Sequence, residues 1–329
     1  MIGIKTVTPE LVDNYHKAIK AVYNRKKLKY KYDYISKWFL KITKNKYDFE
    51  KVIKATPKRM EKIIKLVAEY TKGKGFTPTL DSKGEPVKKE PKGTDYSISQ
   101  YILNTMYSTF SNGHDKNFVS HGFTAFTLLD ELNLATCPYC NRNFIISTYV
   151  ANKKGTKEYR RTAEFDHFYP KSEYSYLAVS FYNLVPSCGC CNKTKLTEAM
   201  EVNPYTIVNS DENLIFDIDF EKGLTDLEIT TLFMSKAFES NWSVLGLEHF
   251  YSQHKDYAAD LYMRILMYNS LYRNDLKDFS SKISGTTYEG VISEQDIIRM
   301  ILGNYFREED LHKHVLTKLT KDIVRKYKF

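Results

Sequence analysis

All five cysteines crowd into two short segments, and they are the first residues here whose spacing implies chemistry. Cys137-Pro-Tyr-Cys140 is one CxxC knuckle and Cys188-Gly-Cys-Cys191 is a second. Each tight loop turns two thiolates to one side, so the pair supplies four sulfurs to one tetrahedral ion. Zn²⁺ favours that donor set, and four protein ligands leave no open position, which makes the ion structural. Such a site contributes on the order of 10 kcal/mol or more to folding. Cys190 is able to replace Cys188 or Cys191, although the spacing of the first knuckle favours Cys188 and Cys191 and leaves Cys190 as a spare thiol. A redox dithiol is the competing reading, and paired knuckles fit zinc better.

Between the knuckles runs Ala163-Glu-Phe-Asp-His-Phe-Tyr-Pro-Lys171. Asp166 and His167 are adjacent at the end of a strand-like stretch, so their side chains diverge. One can face a metal while the other faces a water beside it. A neutral imidazole, with an ordinary pKa of about 6.5, can take a proton from that water. An Asp-His pair alone is more often a surface pair or a cap. Two asparagines sharpen it: Asn183, in Phe181-Tyr-Asn-Leu-Val-Pro-Ser-Cys188, and Asn192, directly after Cys191. Oxygen donors such as Asp166 and Asn192 suit Mg²⁺ or Mn²⁺, which polarises a phosphoryl oxygen and stabilises a departing one. Asn192 also opens a helical run whose N-terminal dipole favours a phosphate. Arg142, Lys171, Lys193 and Lys195 are near enough in sequence to contact phosphate, with solvated surface charge as the equal alternative for each.

Taken together, Cys-x-x-Cys, Asp-His, Asn-Leu-Val-Pro-Ser-Cys-x-x-Cys and the following Asn resemble the zinc-containing HNH endonucleases of the ββα-metal fold. Phe165-Asp-His-Phe-Tyr-Pro-Lys-Ser-Glu-Tyr174 and Asn183-Leu-Val-Pro-Ser-Cys188 are similar to the PtuB-type HNH nucleases of Septu and retron anti-phage systems. The likeness spans residues 134–200. It implies Asp166 as the first metal ligand, His167 as general base, and Asn183 as the middle residue that fixes the loop and orients His167 through a backbone carbonyl. Asn192 takes the place of the second metal ligand, so the pattern is HNN, and its following lysines, Lys193 and Lys195, depart from the family spacing. The expected activity is metal-dependent hydrolysis of phosphodiester bonds, with DNA the expected substrate and anti-phage defence the setting. The resemblance also suggests a partner ATPase that controls cutting, since the chain has no GxxxxGK[ST] motif of its own to do so. Two alternatives stand beside this: a toxic effector cutting RNA such as tRNA, and a non-catalytic zinc module that binds nucleic acid or a partner.

The elements that must position these residues read as an α+β chain, with a ββα-metal core and a four-cysteine zinc site flanked by mainly α-helical regions. We expect a basic helical region with a linker over residues 1–95, a nuclease module over 96–200 with its core at 134–200, and a mostly helical region over 201–329. Thr56 as N-cap and Pro57 at N1, followed by Met60, Ile63, Ile64 and Val67, predict a helix ending before Gly73. Residues 72–95 are rich in Gly, Pro and charge and read as a linker or mobile loop. Strands are expected at 143–150 and 158–165, joined by a turn at 152–155, and again at 214–220 and 227–233. A long helical pattern runs from Leu245 to Ile283, carrying Leu261, Ile265, Tyr268 and Tyr272 on one face.

Lys and Arg total 49 against 40 Asp and Glu, a formal net charge of +9, which favours polyanionic partners. From Lys17 to Lys46, aromatics (Tyr23, Tyr30, Tyr32, Tyr34, Trp38, Phe39) interleave with cations. That stripe suits nucleic-acid stacking or, equally, an amphipathic helix pair with an aromatic core face. The remaining histidines, His16, His114, His121, His249, His254, His312 and His314, form no ligand pattern. No apolar run is long enough to span a membrane and no secretory signal is present, so a cytoplasmic protein is expected.

Overall fold

The computed structural model describes residues 1–25, 27–112, 116–120, 123–151, 157–221, 223, 226–282 and 293–329. Helices and strands are mixed, and the strands pair into three antiparallel two-stranded sheets among the described residues. The chain divides into two compact units, one of residues 4–134 and 145–206, the other of residues 1–3, 135–144 and 207–329. Boundaries at 95 and 200 do not coincide with this division: the N-terminal helices and the strands around Asp166 share one unit.

That unit opens with helices α1 (Pro9–Tyr23), α2 (Tyr32–Ile42), α3 (Phe49–Ile53) and α4 (Pro57–Thr71). Thr8 caps α1, its hydroxyl accepting from Leu11 N–H. In α4 extended Thr56 precedes Pro57 at N1, although the Thr56 side chain makes no capping hydrogen bond; Met60, Ile63, Leu66 and Val67 are buried, Ile64 is not, and left-handed Lys72 ends the helix. Tyr23, Tyr30, Tyr32, Trp38 and Phe39 are all buried, whereas Tyr34 is 46 % exposed. Phe39 stacks on Phe49 with ring centroids 5.3 Å apart. The aromatic stripe is therefore core packing of an amphipathic pair, and it offers no row of faces for bases. Residues 72–94 contain no helix; Thr79 bonds Glu90 through both N–H and hydroxyl, and Phe76 packs edge-on against Tyr176.

Strand β1 (Ser147–Ala151) pairs with β2 (Lys157–Arg161), and β3 (Ala163–His167) with β4 (Leu184–Cys188). The run expected as one strand at 158–165 is thus two, parted at Thr162, whose hydroxyl accepts from Ile146 N–H and whose N–H donates to Ile146 O. The turn read at 152–155 lies outside the described residues, as do His114 and His121. A helix, Gly189–Lys195, follows β4 without a linker, giving the order strand, strand, helix. The β3–β4 register sets Asp166 opposite Val185 and His167 opposite Leu184.

The other unit contains β5 (Leu214–Asp219) paired with β6 (Glu228–Phe233), and helices Lys236–Val244, Leu247–Ser252, Lys255–Met267, Ser270–Lys282, Glu294–Leu302 and Thr317–Lys326. The single helical pattern expected over 245–283 is broken twice. At the second break Asn269 Oδ1 accepts from Tyr272 N–H, the local bond by which Asn starts a new helix. Leu261 and Ile265 remain core residues, while Tyr272 is 47 % exposed. Phe216, Trp242 and Tyr251 cluster in the interior. Lys318 and Asp322, both fully buried, pair at 2.6 Å, and Asp322 also accepts from Phe216 N–H at 2.8 Å. No described helix is long and apolar enough to cross a membrane.

Candidate metal centre and catalytic cleft

Cys137, Cys140, Cys188 and Cys191 are all buried, and their sulfurs lie within 4.8 Å of one another. A Zn–S bond of about 2.3 Å gives a tetrahedron with sulfur–sulfur edges of about 3.8 Å. The cluster therefore fits a zinc ion with small adjustments. Cys190 is exposed and is not one of the four, which resolves the ambiguity left by the CxCC spacing. Arg142 N–H points at Cys140 Sγ (3.4 Å) and Cys191 N–H at Cys188 Sγ (3.5 Å), contacts that favour thiolates. In the first knuckle, Asn141 N–H donates to Cys137 O at 2.7 Å, and Asn141 adopts φ +50°. Its fully buried amide is anchored on both sides: Nδ2 donates to Leu311 O (3.0 Å) and Oδ1 accepts from Lys318 N–H (3.0 Å).

Asp166 and His167 end β3 and line a cleft of about 450 Å³, together with Tyr107, Glu164, Lys171 and Asn192. Their side chains take different partners. Asp166, 4 % exposed, lies 3.3 Å from Lys195 Nζ through either oxygen. His167, 5 % exposed, has Nε2 3.0 Å from Ala178 O. A carbonyl can only accept, so Nε2 carries the hydrogen and Nδ1 keeps its lone pair. Tyr107 packs edge-on against the imidazole at 4.4 Å. Burial depresses the His167 pKa to about 3; the Ala178 carbonyl works against that, and Lys171 and Lys195 add to it. The ring is neutral throughout the physiological range.

Asn183 is fully buried and holds the β3–β4 connection rather than touching His167. Its Oδ1 accepts from Tyr169 N–H (2.7 Å), its Nδ2 donates to Leu177 O (3.1 Å), and its carbonyl accepts from Phe168 N–H (2.9 Å). The carbonyl that orients His167 belongs to Ala178, next to the Leu177 that Asn183 grips. Asn192 does not open a helix as expected but lies in the middle of Gly189–Lys195, away from that helix's N-terminus; its Nδ2 donates to Glu164 Oε2, which leaves its own Oδ1 turned to other uses.

The four cations expected near phosphate part company. Lys171 is exposed on the cleft wall, with Nζ 5.6 Å from the Tyr107 ring centre. Lys193 is exposed on its helix. Lys195 is completely buried and donates to His167 O at 2.9 Å, so it serves as counter-ion to Asp166 instead of surface charge. Arg142 lies over the Phe250 ring, 4.7 Å away, and donates through Nε to His254 Nε2 at 2.9 Å. Burial and that guanidinium both lower the His254 pKa.

Sequence reasoning missed Glu164, Tyr107 and Arg161 as cleft residues. Glu164 was within reach, since it lies two positions before Asp166 on a strand and so shares its face. Arg161 packs its guanidinium on Phe165 and donates through Nη2 to Ser111 O at 2.8 Å. Tyr107 comes from a distant helical segment and has no local signal. No family model, curated protein or solved structure matches this chain.

Proposed function

We propose that the chain is a metal-dependent endonuclease of the HNH type, which hydrolyses phosphodiester bonds in nucleic acid, DNA foremost. The observation that carries this reading is the pair at the end of β3. His167 has its tautomer set by a backbone carbonyl, and a carboxylate adjoins it in the same cleft as Asn192 on the following helix. With Nε2–H engaged, Nδ1 is the nitrogen able to accept a proton from an attacking water. The strand, strand, helix order and the four-cysteine cluster accord with a ββα-metal core.

Asp166 and Asn192 would hold a divalent ion, with Glu164 fixing the Asn192 amide so that its oxygen is the free end. Both side chains offer hard oxygens, the donors that suit Mg²⁺ or Mn²⁺. Bound there, the ion supplies charge stabilisation to the phosphoryl and leaving oxygens. Lys195 supports the same step by holding Asp166 in place, and Lys171 adds positive charge at the cleft wall.

Plasmid DNA and RNA cleavage with Mg²⁺ or Mn²⁺ tests the proposal, wild type beside His167→Ala. Loss of at least about 100-fold in the variant is expected for removal of a general base. Equal rates in the two proteins would sink the role of His167.

One observation favours a second reading. Asp166 already has a buried ammonium partner, so its own charge has a counter-ion without any metal. That is the arrangement of a zinc-stabilised binding module, and absence of cleavage under every metal condition would select it. A partner ATPase remains part of the nuclease proposal, tested by purifying the chain with and without its genomic neighbour. Full, unregulated activity of the lone chain would count against it.

A further inference from the structure

A concavity of about 470 Å³ beside the start of α4 is lined by Lys46, Lys51, Lys58, Arg59 and Lys62, with Tyr47 and Thr56 and no carboxylate. All five cations are exposed, and none has an ion-pair partner among the described residues. Their neighbours behave otherwise: Lys44 pairs with Glu69, and Lys54 with Asp13 and Glu50. Glu69, Asp13 and Glu50 are thus committed to other lysines, and Asp48 accepts from the backbone N–H of Lys51. The first turn of α4 adds no acid either. Five cations around one hollow with no carboxylate in its lining repel each other, an arrangement that an arriving polyanion relieves.

We infer that this hollow docks the phosphodiester backbone of the nucleic acid, at a position separate from the candidate catalytic cleft. The course of α4 supports nucleic acid over a small anion. The far end of that helix, from Ile64 to Thr71, lines a second concavity with Ser172, Glu173 and Tyr174, and Ser172 also lines the cleft of Asp166 and His167. Fifteen residues of helix span about 22 Å. B-form DNA rises about 3.4 Å per base pair, so a duplex following α4 covers that distance in about six base pairs. A duplex gripped at the basic hollow can therefore run on to the concavity that shares Ser172 with the cleft. This docking does not depend on cleavage, so binding here by a chain that never cuts would leave the inference standing and remove the nuclease proposal.

The test is affinity for a short DNA or RNA duplex as a function of salt, without added Mg²⁺ or Mn²⁺. The full chain carrying Lys51→Gln, Arg59→Gln and Lys62→Gln is compared with one carrying Lys83→Gln, Lys88→Gln and Lys89→Gln, exposed lysines outside the hollow. Both lose three charges. The first triple is expected to bind at least about tenfold more weakly, with the slope of log K against log salt reduced by about 0.9 per lost phosphate contact. The second is expected to stay close to wild type. Melting curves check that both fold. Equal weakening in the two triples would reduce the effect to net charge and overturn the inference, as would no weakening in either. Inorganic phosphate or anionic lipid vesicles engaging the hollow in preference to duplex would overturn it as well.

Discussion

Lys195 illustrates how much hangs on one buried ammonium. It is fully enclosed, touches both oxygens of Asp166, and donates to the backbone of His167. Removing one partner of such a pair leaves an uncompensated charge, typically at a cost of about 3–5 kcal/mol. Lys195→Met should therefore melt well below wild type. On the nuclease reading, Mg²⁺ or Mn²⁺ should recover part of the loss, because a cation at Asp166 replaces the missing ammonium. Thermal melts with and without the metal read this directly, and a variant as stable as wild type would contradict the pairing. Glu164 gives a second residue-level expectation. If it holds the Asn192 amide, Glu164→Ala should weaken Mn²⁺ binding about 10–100-fold, the usual cost of losing a group that orients a ligand. Titration of bound Mn²⁺ by electron paramagnetic resonance measures this without any turnover, and unchanged affinity would count against the role.

Among the elements, the two knuckles make the sharpest contrast. Cys188 is buried within the sulfur cluster, whereas Cys190, two residues away, is exposed on the helix. Cys190→Ser should retain about one zinc per chain with an unchanged melting curve. Cys188→Ser should lose the metal and much of its stability, since four thiolates are what a closed site requires. Zinc analysis by mass spectrometry distinguishes the two, and metal loss from the Cys190 variant would overturn the ligand assignment. The β3–β4 connection works by a similar economy. A single amide, Asn183, grips both Tyr169 and Leu177 and thereby places the Ala178 carbonyl that selects the His167 tautomer.

For the molecule as a whole, acid sensitivity follows from carboxylates held by cations. Burial alone would raise the Asp211 pKa, but hydrogen bonds from Lys318 and Lys321 outweigh it and bring it to about 2. A folded-state pKa below the unfolded value contributes stability that is complete above about pH 4 and is lost as pH falls towards 2. Asp211→Asn should lower the urea midpoint at neutral pH and flatten its fall over that acid window. Parallel curves for the two proteins would show that the network does not act this way.

Much of this was legible beforehand, and the split has a physical basis. Spacing within a few residues encodes local geometry, so the CxxC knuckles, the Thr56-Pro57 helix start and the strands within 214–233 could be read directly, whereas the break at Thr162 and the pairing of β3 with Leu184–Cys188 could not. The aromatic stripe of residues 17–46 was ambiguous because stacking surfaces and core faces share one composition, and only burial separates them. Residue identity and spacing by themselves determined two cysteine knuckles with a four-sulfur donor set and the adjacency of Asp166 and His167, while burial decided that Cys190 is not one of the four. Tertiary packing alone decided that Lys195 is buried against Asp166, that Ala178 orients His167 and that Tyr107 walls the ring. Those contacts join residues far apart in the chain, and no local period records them.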